Sequence, residues 1–130
     1  MQNKKNIVTN KSPKAIGPYS QAIEVNNLIF TSGQIPLEPV SGQVVSDNFS
    51  EQALQCLKNI EGILLDQSLS KDNIIKLTVY LTDLSNFEKL NNVFENFFKN
   101  KQFPARSVVE VCRLPKDVKI EIEAICYNEN

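Results

Sequence analysis

Two hydrophobic periods alternate along this chain. Between Phe49 and Leu64 the apolar residues Phe49, Ala53, Cys56, Leu57, Ile60, Ile63 and Leu64 recur at three- and four-residue spacing, the period of one helix face. This predicts an amphipathic helix over 48–67, with Asp47, Asn48 and Ser50 all suited to cap it. A second helical stripe, Phe87, Leu90, Val93, Phe94, Phe97 and Phe98, begins at Ser85-Asn86-Phe87-Glu88, which has capping-box spacing. Its aromatics fit one buried helix face and read as core rather than as a cofactor box. Elsewhere the period is two, as in half-buried strands. Over 73–82, Ile75, Leu77, Val79 and Leu81 face one way, and Lys76, Thr78 and Tyr80 the other. Residues 103–127 read as two strands joined by the turn Leu114-Pro115-Lys116-Asp117. In the first, Ala105, Ser107, Val109 and Val111 oppose Arg106, Val108 and Glu110; in the second, Ile120, Ile122, Ala124 and Cys126 oppose Glu121 and Glu123.

The N-terminal third adds a short strand over 5–10 anchored by Ile7, and a loop marked by Ser12-Pro13 and Gly17-Pro18. Strands over 19–25 and 28–32 follow, joined by Asn26-Asn27, since Asn tolerates the positive φ of a tight hairpin. Residues 35–42 form a loop. After the first strand the order is ββαβαββ. Two helices cannot cover both faces of such a sheet. The expected class is α+β: a roughly six-stranded mixed sheet with two helices packed on the face carrying Leu77, Val79, Val109, Ile120 and Ile122. The other face, with Thr78, Tyr80, Arg106, Val108, Glu110, Glu121, Glu123 and Ile125, is left bare. Its mixture of apolar and charged residues suits a contact between subunits.

Composition narrows the function. At 130 residues the chain is long enough for one domain with a real core. A formal net charge of −1 gives no electrostatic footprint for nucleic acid or an anionic membrane. No stretch is long enough to span a bilayer, and the N-terminus leads into no apolar run of signal-peptide length. The three cysteines, Cys56, Cys112 and Cys126, are far apart and form no CxxC pair; they read as small buried hydrophobes in a reducing, cytoplasmic setting. The absence of histidine removes Ser-His-Asp and Cys-His catalysis and His-ligated metal sites. Acid–base chemistry is left to Asp, Glu, Lys, Tyr or Cys.

Four features could carry chemistry. The Arg106 guanidinium is a rigid fork suited to a carboxylate, or a partner in an ordinary ion pair with a nearby glutamate. Glu121 and Glu123 lie two apart on one strand face, as a coupled carboxylate pair or as a solvated surface. Tyr19, at a loop-to-strand junction, either faces a ligand or simply packs. At Ser32-Gly33 a glycine either lets the backbone approach a bound group closely or forms a plain turn.

Four segments are similar to the reactive-intermediate deaminase family, the YjgF/RidA group: 15–22 (Ala-Ile-Gly-Pro-Tyr-Ser-Gln-Ala), 31–36 (Thr-Ser-Gly-Gln-Ile-Pro), 103–111 (Phe-Pro-Ala-Arg-Ser, then Val-Glu-Val at 109–111) and 113–124 (Arg-Leu-Pro-Lys-Asp-Val-Lys-Ile-Glu-Ile-Glu-Ala). They are collinear and span nearly the whole chain. The resemblance implies a chorismate-mutase-like α+β fold and a homotrimer with clefts between subunits. It also implies hydrolysis of 2-imino acids or their enamine tautomers to 2-oxo acids and ammonia, with no metal or organic cofactor. Such imines escape from pyridoxal-phosphate enzymes such as threonine dehydratase, a link to isoleucine synthesis. By position, Arg106 would grip the substrate carboxylate and Glu121 would hold the attacking water. Backbone at Ser32-Gly33 and Ser107-Val108 would complete the cleft, lined by Tyr19, Phe87 and Asn91. Many relatives carry cysteine where this chain has Val108, so a thiol-based role is not expected. A non-catalytic 2-oxo acid sensor and an endoribonuclease are the competing readings; the charge balance speaks against the second.

Overall fold

The helix at 48–67 forms because its apolar stripe has a core to meet and Asn48 starts it: the Asn48 side chain accepts from the Glu51 amide at 2.9 Å. In the computed structural model, which describes residues 4–100 and 102–130, this is α1, Phe49–Asp66. The remaining elements are β1 (Lys5–Ile7), β2 (Ala22–Val25), β3 (Leu28–Thr31), β4 (Ile74–Leu81), α2 (Phe87–Phe97), β5 (Ala105–Glu110) and β6 (Ile120–Tyr127). Both helices lie on one face of a six-stranded mixed sheet of order β1-β2-β3-β6-β4-β5, as the pattern predicts. Asn26 and Asn27 turn the β2–β3 hairpin with φ of 50° and 65°. The core joins α1 and α2 to the inner sides of β3, β4 and β6, through Leu57, Ile60, Leu64, Leu77, Val79, Leu90, Ile120 and Ile122 among others.

The two strands at the C-terminal end are consecutive but not neighbours. β6 inserts antiparallel between β3 and β4, while β5 runs parallel to β4 as an edge strand. This placement reverses the expected faces of β5. Leu77 pairs with Arg106, Val79 with Val108 and Leu81 with Glu110, so these three stand on the helix-bearing side. Ala105, Ser107 and Val109 stand on the bare side with Thr78 and Tyr80. An alternation with a valine on each face fixes the period but not its phase. Only the partner strand settles it.

Three further expectations change. A bulge between Ile74 and Lys76 turns Ile75 out to 44% exposure and gives its core place to Ile74. The Ser85–Glu88 capping box is absent; Asp83 instead accepts from the Ser85 amide at 2.9 Å and caps a short 3₁₀ turn, Leu84–Asn86, ahead of α2. Cys56 and Cys126 are buried as expected, but Cys112 is exposed. Among the described residues no helix is long and apolar enough to cross a membrane.

Candidate active site

The predicted site residues fall into two clusters on opposite faces of the sheet. The first surrounds Arg106 at the edge strand. Its guanidinium carbon lies 5.3 Å from the centroid of the Phe87 ring and 5.0 Å from that of Phe94. Phe87, expected in the core, is 42% exposed and serves as the outer of these two plates; Phe94 is the buried inner one. Among the described residues no carboxylate is within ion-pair distance of Arg106, so the ordinary ion-pair reading is not realised. Burial lowers the guanidinium from its ordinary value, and the group stays cationic at neutral pH. A cleft of about 340 Å³ opens beside it, lined by Asn91, Phe94, Glu95, Phe103, Pro104 and Arg106. The packing of Phe103 on Phe98, edge to face at 6.2 Å, fixes the far wall.

The second cluster surrounds Glu121 on the bare face. A cleft of about 420 Å³ is lined by Ile16, Tyr19, Ser32, Gly33, Ile35, Pro115, Lys116 and Glu121. Past the end of β3, residues 32–34 run beside β6, pinned by reciprocal backbone bonds between Gln34 and Ile122 of 2.8 and 3.1 Å. Gly33 leaves room for the carboxylate: a Cβ there would collide with Glu121 Oε2 and push that side chain aside. Ser32 is locked by its amide to Gln21 O at 2.9 Å and by its hydroxyl to Ser20 O at 2.5 Å.

The wall carrying Tyr19 is equally fixed. The buried Gln21 amide donates to Thr9 O, Ser12 O and Pro13 O, and its oxygen accepts from the Thr9 amide at 2.8 Å. Gly62 of α1 lets the Lys11 carbonyl pack directly on the helix. From the same helix Asn59 donates to Ile35 O and Leu37 O at 3.3 and 3.0 Å, and Gln52 accepts from the Lys119 amide at 2.9 Å. Buried polar side chains of α1 thus anchor segments on both sides of the Glu121 cleft.

Glu121 is half-buried. Burial first, and the neighbouring Glu123 charge second, push its carboxyl above the ordinary glutamate value. Such a carboxylate is a better base than a fully hydrated one.

The site residues therefore divide. Arg106, Phe87 and Asn91 are near one another, as are Glu121, Tyr19, Ser32 and Gly33. Ser107 faces the bare side, and Val108 packs inward against the core. Glu110, across from Leu81, accepts from the Leu84 amide at 2.9 Å and holds the turn before α2. Pattern reasoning missed Lys116, Ile16 and Ile35 as wall residues. Lys116 reaches the cleft because Lys116 and Asp117 adopt positive φ, 57° and 55°, which neither residue type announces. Phe103-Pro104, just ahead of Arg106, was the available signal for the other wall. Among the described residues no group of three or more His, Cys, Asp and Glu side chains is placed to hold a metal ion.

A two-helix, six-stranded mixed sheet with one open face and a charged cleft on each side defines a recognisable α+β class. The family model described as Endoribonuclease L-PSP matches residues 9–128, and the chain belongs to this family, the YjgF/RidA group. It is 50% identical over 123 residues to the 2-iminobutanoate/2-iminopropanoate deaminase of Escherichia coli strain K12, covering 93% of this chain and 95% of that one. The crystal structure of the YjgF gene product from E. coli superposes with a TM-score of 0.91 at 48% identity, covering 96% of this chain and 99% of that one. E. coli TdcF with bound serine gives a TM-score of 0.89 at 46% identity, covering 95% and 98% of the two chains.

Proposed function

We propose that this protein is a 2-iminobutanoate/2-iminopropanoate deaminase that hydrolyses reactive 2-imino acids to 2-oxo acids and ammonia in the cytoplasm. The observation that carries the reading is the division of labour between the two clefts. One presents a cation that, among the described residues, makes no ion pair, with Glu95 the carboxylate in the same cleft. The other presents a half-buried carboxylate against a glycine backbone. A 2-imino acid needs both: a clamp for its carboxylate and a base for the water that attacks C2. The high identity to an imine deaminase supports the same conclusion, and the serine bound by TdcF is a carboxylate-bearing molecule of similar size.

In this reading Arg106 takes the substrate carboxylate in a bidentate grip, with Phe87 and Phe94 holding the guanidinium plane and Asn91 beside it. Glu121 orients a water and takes one proton as its oxygen bonds to C2 of the protonated imine, whose π electrons move to nitrogen. Glu121 then returns the proton to that nitrogen. The C–N bond breaks with its electron pair leaving as ammonia, and the remaining hydroxyl gives its proton to the Glu121 carboxylate, which releases it to solvent, as the 2-oxo group forms. Ser32, Gly33 and Tyr19 fix Glu121 and close its side of the cleft, and backbone at Ser107-Val108 borders the other. No metal or organic cofactor has a part in these steps.

Because the clefts lie on opposite faces, each complete site joins the Arg106 cleft of one subunit to the Glu121 cleft of the next, in a homotrimer closed over the bare faces. The name of the family model raises nuclease activity as another reading. The formal net charge of −1 favours a small anionic substrate over a polyanion. The deciding experiment is 2-oxo acid formation in a coupled threonine dehydratase assay, with light scattering on the same samples. Arg106→Ala is expected to remain a trimer and lose the acceleration. Retained acceleration would remove Arg106 from the site, and a wild-type protein that binds 2-oxobutanoate without any acceleration would make this a binding protein instead.

A further inference from the structure

Glu121 has a companion on the bare face that the reaction above leaves unused. Glu123 follows two residues later on β6, is also half-buried, and faces the same way. Across the ladder Glu121 is opposite Tyr80, and Glu123 opposite Thr78. The Tyr80 hydroxyl reaches diagonally and donates to Glu123 Oε2 at 3.2 Å. The phenol keeps its proton firmly: burial, then the Glu123 charge, then the hydrogen bond to Glu123, then the Glu121 charge all raise it. Tyr80 is therefore a fixed donor that ties the Glu123 charge to one place beside Glu121.

Within one subunit few other groups set the behaviour of Glu121; across the proposed trimer contact the Arg106 cleft of the neighbouring subunit faces it in wild type and variants alike. Lys76 of β4 stands on the same face, lining a pocket with Glu123. Lys116 and Tyr19 line the Glu121 cleft itself. Cys56 of α1 lies behind the sheet; its thiol is held far up by burial and then by the Glu121 charge, so it stays neutral. Among the described residues no lysine or arginine is within ion-pair distance of Glu121 or Glu123.

We propose that Glu123 and Tyr80 are positioning residues that set how Glu121 takes and returns its proton, Glu123 through its charge and Tyr80 by holding that charge in place. The inference rests on the imine-hydrolase reading above. Its chemistry is simple. A carboxylate that must draw a proton from water gains as a base when a second negative charge stands near it. The proton then passes to the still more basic amine of the adduct, so the same group serves both steps. Glu123 touches neither water nor substrate in this scheme.

The test is a carbon-detected NMR titration of the glutamate carboxyls in the full-length wild type, Glu123→Gln and Tyr80→Phe, with kcat/KM for imine hydrolysis followed over the same pH range. Glu121 is expected to titrate at lower pH in Glu123→Gln, where the neighbouring charge is gone. It is expected to titrate at lower pH also in Tyr80→Phe, by less, where that charge is no longer held beside it. The acid limb of kcat/KM moves in the same direction in both variants. In Glu123→Gln the ratio of activity on the acid limb to that on the plateau rises about threefold or more over wild type. A Glu121 titration unchanged in both variants overturns the proposal. Should Glu123→Gln fail to fold, Tyr80→Phe, which removes only a hydroxyl, decides it alone. Absence of imine turnover in the wild type would overturn the assigned reaction, while the NMR titration would still decide whether Glu123 and Tyr80 govern Glu121.

Discussion

The two clefts solve opposite electrostatic problems with opposite materials. Around Arg106 the walls are aromatic side chains of α2 and the Phe103-Pro104 segment, and the charge is left without a counterion among the described residues. An unpaired cation between π faces is ready for an incoming anion, because no internal carboxylate has to be displaced first. Around Glu121 the wall is backbone, a glycine and a latched loop, and burial with a second carboxylate raises its proton affinity. In the proposed reaction one half selects by charge and the other manages a proton. The first can tolerate some looseness, since a guanidinium attracts over distance; the second cannot, since proton transfer needs hydrogen-bond contact.

The contrast can be broken most severely at the charge itself. Arg106→Ala should lower kcat/KM for imine hydrolysis on the order of a hundredfold or more, the value of a lost bidentate charged grip, with thermal stability little changed. Next comes the tightness of the other half. Gly33→Ala places a methyl group where the Glu121 carboxylate now lies. It should lower kcat about tenfold while 2-oxo acid binding, measured by calorimetry, changes far less. Equal losses in both would mean that Glu121 serves binding. A smaller effect is expected from Phe87→Leu, which removes the exposed plate over Arg106. KM should rise about two- to fivefold with kcat nearly constant.

The smallest effect concerns stability. Glu121 is raised above its unfolded value by burial and by Glu123. The stability linked to its proton is fully present below the unfolded value and lost as pH rises through the folded value. Glu121→Gln should therefore raise Tm by about a degree near pH 7, and less near pH 4, solvent screening of the half-exposed group keeping the effect small. A wider gap at the acidic end would contradict the raised carboxyl.

Much of this architecture was legible in the residue pattern. The α1 stripe, the Asn26-Asn27 hairpin, the order of elements and the single helix-covered face all follow from periods of 3.6 and 2. The phase of β5 was not legible, because Val108 and Val109 offer an apolar residue to each face and an edge strand buries neither completely. Phe87 read as core because its spacing matches Leu90 and Phe94, yet it sits at the first turn of α2, beyond the sheet's cover. The candidate site residues came from likeness to a family. Their division between two faces could not be read from the sequence, since it depends on which strand β5 and β6 each choose as neighbour. Lys116 was hidden by a backbone conformation its side chain does not advertise.

The place of β6 also governs the order of assembly. Among the described strands it is made last, yet it lies between β3 and β4 and pairs with both of them. Until residues 120–127 emerge, the nascent chain holds a three-stranded meander and a separate β4–β5 pair, with nothing to join them into one sheet. Closure of this sheet thus waits for residues 120–127, and the unpaired β3 and β4 edges are the surfaces a chaperone would have to shield until then.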